Sequence, residues 1–404
     1  MEVQYLKKIL LLGGSRQQIP AIEHARKKGY YTILCDFLKD NPGQYYADKF
    51  YCVSTTDKEA VLKVAMDENI DGIVAYASDP AAPTVAYVAE KMELPTNPYD
   101  SVMILSDKGK FRSFLADNNF CTPKARVYTT VEEAQQEIDI FKLPVIIKPV
   151  DSSGSKGVSK VEDVNELKTK FEYALGFSRV KRVIIEEFVE MFGYQVAGDG
   201  FTVDGELVFR CFANDHFNRN GVNPFVPISA SFPYNMPQSI HNKIHAEIQR
   251  LFDLLNIKTG AYNFDIRIDK DENVYLMEIG ARNGGNYIPQ VIKYATGVDL
   301  VDYTIRAAMG EDCSDLKLIE PEGYWSYYAV HSINSGILKE IVIAEDVKGN
   351  NIVESFMNYK PGDNVYAFTG ANTCIGILIM RFDSMDQMLD MMDNSEKWIQ
   401  VIVE

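Results

Sequence analysis

Val145-Ile146-Ile147 runs straight into Lys148-Pro149 and then into Ser152-Ser153-Gly154-Ser155-Lys156-Gly157. Three consecutive apolar residues read as a buried strand. The lysine therefore stands at a strand's end, where an unpaired ammonium is costly and needs an anion. The loop that follows offers small residues whose backbone can approach phosphate oxygens and whose successive amides can form an anion nest. It lacks the Gly-Lys-Ser/Thr ending of a Walker A loop. A glycine-rich loop alone is as readily a mobile surface turn; the preceding lysine moves the reading toward phosphate.

Other segments point the same way. Ser106-Asp107-Lys108 opens a helix, although Lys108 by itself reads equally as a solvent-facing lysine. Val183 to Val189 forms a second apolar strand with Glu186 and Glu187 at its end. Phe188-Val189 can present backbone groups to an adenine edge while apolar side chains enclose the ring. Asp265 and Glu278 lie on two further strands joined by a hairpin turn at Asp269 to Glu272, followed by Arg282 and Gly284-Gly285. Two carboxylates on neighbouring strands are hard oxygen ligands suited to magnesium bound together with nucleotide phosphates. The plain alternative is a pair of acids on a solvated sheet face. In this order, the segments fit one Mg-ATP whose γ-phosphate faces a second substrate.

The chain has 404 residues, 46% of them hydrophobic and 11% aromatic, enough for two or three domains with substantial cores. A formal charge of -16 argues against nucleic acid or an anionic membrane as a partner. It leaves room for a nucleotide, which a few lysines and amides can hold. Six scattered cysteines without a Cys-x-x-Cys pair favour buried thiols over a zinc site or disulfides. No secretory signal or membrane-length apolar run is apparent, so the expectation is a cytoplasmic protein.

The first hundred residues alternate short apolar runs with amphipathic segments, the pattern of an α/β, doubly wound parallel sheet. Strands are expected at Ile9–Leu12, Tyr31–Cys35 and Ile73–Tyr76. Gly13-Gly14 with Asp36 tempts a dinucleotide reading, but the third glycine of that fingerprint is missing. An α+β body follows over 106–310, with a lid part at about 122–189, and then a small β-rich unit over 311–404. Asn214 to Pro233 reads either as a long substrate-facing loop or as a crossover packed on the sheet. His216 within it is a weak candidate for a general base.

These segments, in this order, resemble the ATP-grasp superfamily of carboxylate–amine (or carboxylate–thiol) ligases. The likeness covers nearly the whole chain and the three-part layout of biotin carboxylase and the carbamoyl phosphate synthetase large subunit. Its most specific stretches are Ile147-Lys148-Pro149 with the Ser/Gly loop, Ile185 to Val189, and Glu278 to Gly285. The resemblance implies an ATP-grasp domain whose two α+β parts sandwich ATP. Lys108 and Lys148 would contact its phosphates, and Ser152, Ser153, Gly154, Ser155 and Gly157 would form the lid. Glu186, Glu187, Phe188 and Val189 would hold adenine. Asp265 and Glu278 would bind magnesium (or manganese), and Arg282, with Lys148, would serve catalysis by steadying an acyl phosphate.

Two departures from the family pattern stand out. Gly280 and Ala281 replace the usual Asn-Pro after the glutamate, leaving open one or two metal ions, with Asn283 as a substitute ligand. Gln195 stands where the family tends to have a ribose-binding glutamate, with Glu190 as an alternative.

The implied activity is a ligase that joins a small-molecule carboxylate to an amine through an acyl phosphate, releasing ADP and phosphate. Lys148→Ala or Glu278→Ala should then abolish ADP formation and leave the fold intact. Bicarbonate activation, as in carbamoyl phosphate synthesis, is one alternative. A catalytically silent ATP-binding regulatory protein is another, and a nicotinamide oxidoreductase a third. The sequence names neither substrate. A homodimer through the first or third domain is a family-based expectation.

Overall fold

The computed structural model describes residues 6–404; the first five residues of the expected 1–105 unit lie outside the described residues. Lys8–Leu12 and Tyr31–Asp36 form the centre of a four-stranded parallel sheet, with Lys49–Cys52 on one edge and Gly72–Val74 on the other. Ile9 to Leu12 are almost completely buried, because helices cover both faces of the sheet. One covering helix, Leu300–Ala308, comes from much later in the chain and ties this unit to the body. The short strand Lys49–Cys52 has no apolar run to announce it, and its ends are exposed.

A second, antiparallel sheet has the order Ala125–Tyr128, Val183–Glu187, Val145–Pro149, Ser159–Val161. Strand alternation sorts its residues between two faces. Val145, Ile147, Val183 and Ile185 join the core beneath the helices Val131–Glu137 and Leu167–Phe177. Lys148 and Glu186 therefore fall on the opposite face. The first of those helices starts with a capping box, in which Thr130 and Glu133 satisfy each other's backbone amides.

The third sheet has eight antiparallel strands. Val274–Gly280, Gly260–Ile268, Gln195–Val203, Glu206–Phe217 and Pro227–Phe232 lead into Tyr324–Val330, Gly376–Phe382 and Ile352–Met357. Strands from beyond residue 311 thus extend the sheet that carries Asp265 and Glu278. A small sheet of Asn364–Val365, Gly336–Ile343 and Ile399–Val403 lies alongside. Asn214 to Pro233, read as either a long loop or a crossover packed on the sheet, is mostly strand, which leaves a connection only between Phe217 and Pro227. Asn214, Asp215 and His216 are buried in the ladder, so their polarity misled a reading by composition.

Candidate active site

Asp265 and Glu278 are direct partners in the register of two antiparallel strands, with a bulge just after Asp265. Bulges re-aim side chains beside functional sites. Asp265 Oδ1 is buried without a hydrogen-bond partner. Burial pushes the carboxyl up to about 6, with Glu278 adding to the rise and Arg267 opposing it. A buried, orphaned carboxylate oxygen beside a second carboxylate is a donor set that fits a hard divalent cation. Among the described residues no group of three or more acidic, histidine or cysteine side chains is preassembled as a metal cage. That suits magnesium, which takes one or two carboxylates and completes its shell with phosphates and water.

Two lysines approach these acids from different elements. Lys108, first residue of the helix Lys108–Asp117, places Nζ 3.0 Å from Glu278 Oε2 and donates to the Ser152 carbonyl at 2.8 Å. Asp107 caps that helix and also binds Arg182. Lys148 is buried and lies 2.5 Å from Glu186 Oε1. Burial holds the Lys148 ammonium below the usual lysine range despite Glu186, and the like charges of Arg112 and Lys108 act in the same direction. Arg112 completes the cluster, with Nε 2.9 Å from Glu186 and Nη2 donating to the Met277 carbonyl. Burial would raise the Glu186 carboxyl, but Arg112 and Lys148 outweigh it and hold it at about 2. Lys148 and Arg112 also pull on the titration of Asp265, so lysines and acids occupy one electrostatic neighbourhood.

Ser153 to Lys156, Asp215, Asp265, Glu278 and Arg282 line one cavity of about 850 Å³. A second cavity of about 360 Å³ contains Lys108 and Ser152 and shares Glu278, Gly280 and Asp79 with the first. Arg282 grips Asp79 of the N-terminal unit through Nε at 2.7 Å and Nη2 at 2.5 Å. Gly280 is what allows this: a Cβ there would lie 2.8 Å from Asp79 Oδ1 and 3.1 Å from Arg282 Cζ. A side chain at 280 would have to displace the ends of Asp79 and Arg282 from this contact.

The loop expected as a lid is held by contacts to later parts of the chain. Ser155 adopts a left-handed backbone, φ +57°, and its Oγ donates to the Phe225 carbonyl at 2.7 Å. Asn223 Nδ2 donates to the Ser155 carbonyl at 3.0 Å and to the Thr369 carbonyl at 2.9 Å. One buried amide thus ties the lid to the last third of the chain.

Several expected roles are not matched by position. Asn283 is fully buried, and its Oδ1 accepts from the Thr304 hydroxyl at 2.9 Å, away from the cavity lining. The structure therefore corrects the reading of Asn283 as a substitute metal ligand. Both ends of the Gln195 amide are engaged, by Asp215 and by Arg267, rather than held open for a ribose. Glu187 accepts from the Lys142 amide, and the Phe188 amide donates to the Pro144 carbonyl, so neither of these groups is free for adenine. His216 is buried between Asp393 and Ser231, at 2.7 and 2.8 Å, which removes it as a base at the cleft. Asp36 accepts from the amides of Gly14 and Leu38, so it is not held open for a ribose either. Asp215 lies in the Asn214 to Pro233 stretch, read as either substrate-facing or packed on the sheet, but no role of its own was assigned to it from the sequence. It lines the cavity, and burial with Asp265 nearby pushes its carboxyl well above the usual range.

Residues 115–296 match the family described as the D-ala D-ala ligase C-terminus. An uncharacterized protein of Sinorhizobium fredii is 28% identical over 65% of this chain and 54% of its own length. The carbamoyl phosphate synthase large chain of Clostridium botulinum is 24% identical over 78% of this chain and 30% of its own length. The chain thus spans about half or less of the curated relatives it matches. Among solved structures, an L-amino acid ligase from Bacillus licheniformis superposes with a TM-score of 0.79 and 21% identity, covering 100% of both chains. No helix among the described residues is long and apolar enough to cross a membrane. Residues 115–296 are thus similar to the D-ala D-ala ligase C-terminus family, an ATP-grasp domain, and the whole chain shares the fold of the Bacillus licheniformis ligase.

Proposed function

We propose that the protein is an ATP- and magnesium-dependent ligase that forms a carbon–nitrogen bond between a carboxylate and an amine. The observation that supports this most is the meeting of Lys108 with Glu278, and of Lys148 with Arg112 and Glu186, in one electrostatic neighbourhood with the Asp265–Glu278 pair. Asp265 and Glu278 would hold magnesium, which when bound neutralises phosphate charge.

Lys108 and Lys148 bind and orient the phosphates of ATP. A carboxylate oxygen of the first substrate attacks the γ-phosphorus; an O–P bond forms, and the bond to the β–γ bridging oxygen breaks as ADP leaves. The amine nitrogen then attacks the acyl carbon, forming the C–N bond and expelling phosphate, while the nitrogen's proton passes to solvent. Arg282, at the cavity wall, is placed to stabilise charge on the acyl phosphate if it turns from Asp79. The Ser152 to Gly157 loop excludes water that would otherwise hydrolyse that intermediate. The catalysis asked of the protein is positioning and charge neutralisation.

The test is a screen for ADP and phosphate release with pairs of carboxylates and amines in magnesium. Equimolar release of the two that requires both substrates supports the reading. Nucleotide binding without turnover across the panel would replace it with a silent regulatory role.

A further inference from the structure

Part of the wall of the 850 Å³ cavity comes from the last third of the chain, and that part is largely aromatic. Tyr287 and Phe356 stack with ring centroids 4.1 Å apart and planes 9° from parallel, and Tyr327, Tyr359 and Ile377 complete the surface. Phe356 comes from the edge strand Ile352–Met357, far in sequence from the ATP-grasp body. Tyr287 is placed by an unusual backbone: Asn286 and Tyr287 are consecutive non-glycine residues in the left-handed region, at φ +52° and +60°. A bulky residue there is disfavoured and persists only where its surroundings impose it. Here the Asn286 amide donates to Gln17 Oε1 of the N-terminal loop at 3.0 Å. Arg16, next to Gln17, lines the same cavity close enough to Tyr287 to act on its phenol and has no ion-pair partner among the described residues.

Magnesium and nucleotide phosphates would take the Asp265–Glu278 end of this cavity, and bicarbonate or glycine would leave its aromatic end unused. That end offers apolar walls for the body of a larger ligand and a few polar groups for its orientation. Resting on the ligase reading above, we infer that the carboxylate substrate is an acid with a planar ring or comparably large apolar body. Its carboxylate lies at the Asp265–Glu278 end, and its body rests on the Tyr287–Phe356 wall. An aromatic amino acid or an arylalkanoate has this chemistry.

The test is calorimetric titration of the full chain, in magnesium and ADP, with L-phenylalanine and 3-phenylpropanoate against glycine and acetate. Ring-bearing acids should bind saturably and at least about tenfold more tightly than the small acids, and Phe356→Ala should erase about tenfold of that preference. Phe356→Leu, which keeps apolar bulk, should retain part of it, and melting temperatures of both variants report folding. Equal affinity for small and ring-bearing acids, no binding of ring-bearing acids, or a preference unchanged in a folded Phe356→Ala would overturn the inference. ADP release separates it from the ligase reading. Turnover with small acids alone would remove this inference and leave the ligase, whereas tight binding of ring-bearing acids without turnover would do the reverse.

Discussion

Lys108 and Glu278 form an ion pair at 3.0 Å across the boundary between the two cavities, and each is the group that a magnesium nucleotide would claim. The pair keeps both charges satisfied in the absence of ligand. Phosphate must take Lys108 as metal takes Glu278, so the exchange preserves charge balance. Lys108→Ala and Glu278→Gln should each lower substrate-dependent ADP formation about a hundredfold, roughly 3 kcal/mol, if they act on the transition state. Steady-state assays across a magnesium range check this, and Glu278→Gln should also need more magnesium. Unaltered turnover in both variants would contradict the assignment.

Lys148 needs a different expectation from the one the sequence supports. It is half of a buried pair with Glu186, and Arg112 is the other cation on that carboxylate. Removing one partner of a buried ion pair costs about 3–5 kcal/mol. Lys148→Ala and Arg112→Ala should both lower the melting temperature, and Lys148→Ala should lose activity as well. Arg112→Ala carries the larger structural penalty, because Arg112 also ties the helix to the carbonyl of Met277.

Asn223 holds the lid through two carbonyls, Ser155 and Thr369. Asn223→Ala should weaken that closure by about 1–2 kcal/mol, at roughly 1 kcal/mol for each net hydrogen bond. Hydrogen exchange at 152–157 should accelerate, while the core strands Val145–Ile147 keep their protection. Uniform exchange changes across the lid sheet would indicate general destabilisation instead.

Asp199 is fully buried beneath the Gly284 turn, accepting from the Gly284 amide and Asn263 Nδ2. Burial raises its carboxyl to about 6, against those hydrogen bonds. An unfolded aspartate titrates near 3.9, so between about pH 4 and 6 the folded chain holds the extra proton. Stability from this group is therefore full below about pH 4 and falls as pH rises to 6, by up to about 3 kcal/mol. Thermal melts should show Asp199→Asn gaining on the native protein across that window and holding a constant difference above it. Parallel melting curves would contradict this.

Much of the fold was legible because its signals are local. Leu10 to Leu12 and Val145 to Ile147 are continuous apolar runs, and Thr130 with Glu133 is a capping pair readable by spacing. The pairing of Asp265 with Glu278 was legible for the same reason, since both alternate with apolar neighbours on either side of one hairpin. What escaped is set by partners distant in the chain. Asp215 looked like part of a polar loop because nothing local reveals a strand buried on both faces. Asn283 looked free because Thr304, which takes its oxygen, lies on a later helix. Glu186 looked like an adenine-linker acid because Arg112 enters from 74 residues earlier.

The most direct measurement is a crystal structure of the protein with magnesium and a non-hydrolysable ATP analogue. Lys108 and Lys148 should lie within hydrogen-bond distance of its phosphates, with metal between Asp265 and Glu278 and the Lys108–Glu278 contact broken. A nucleotide bound elsewhere, with Lys108 still paired to Glu278 and Asp265 without metal, would contradict the account.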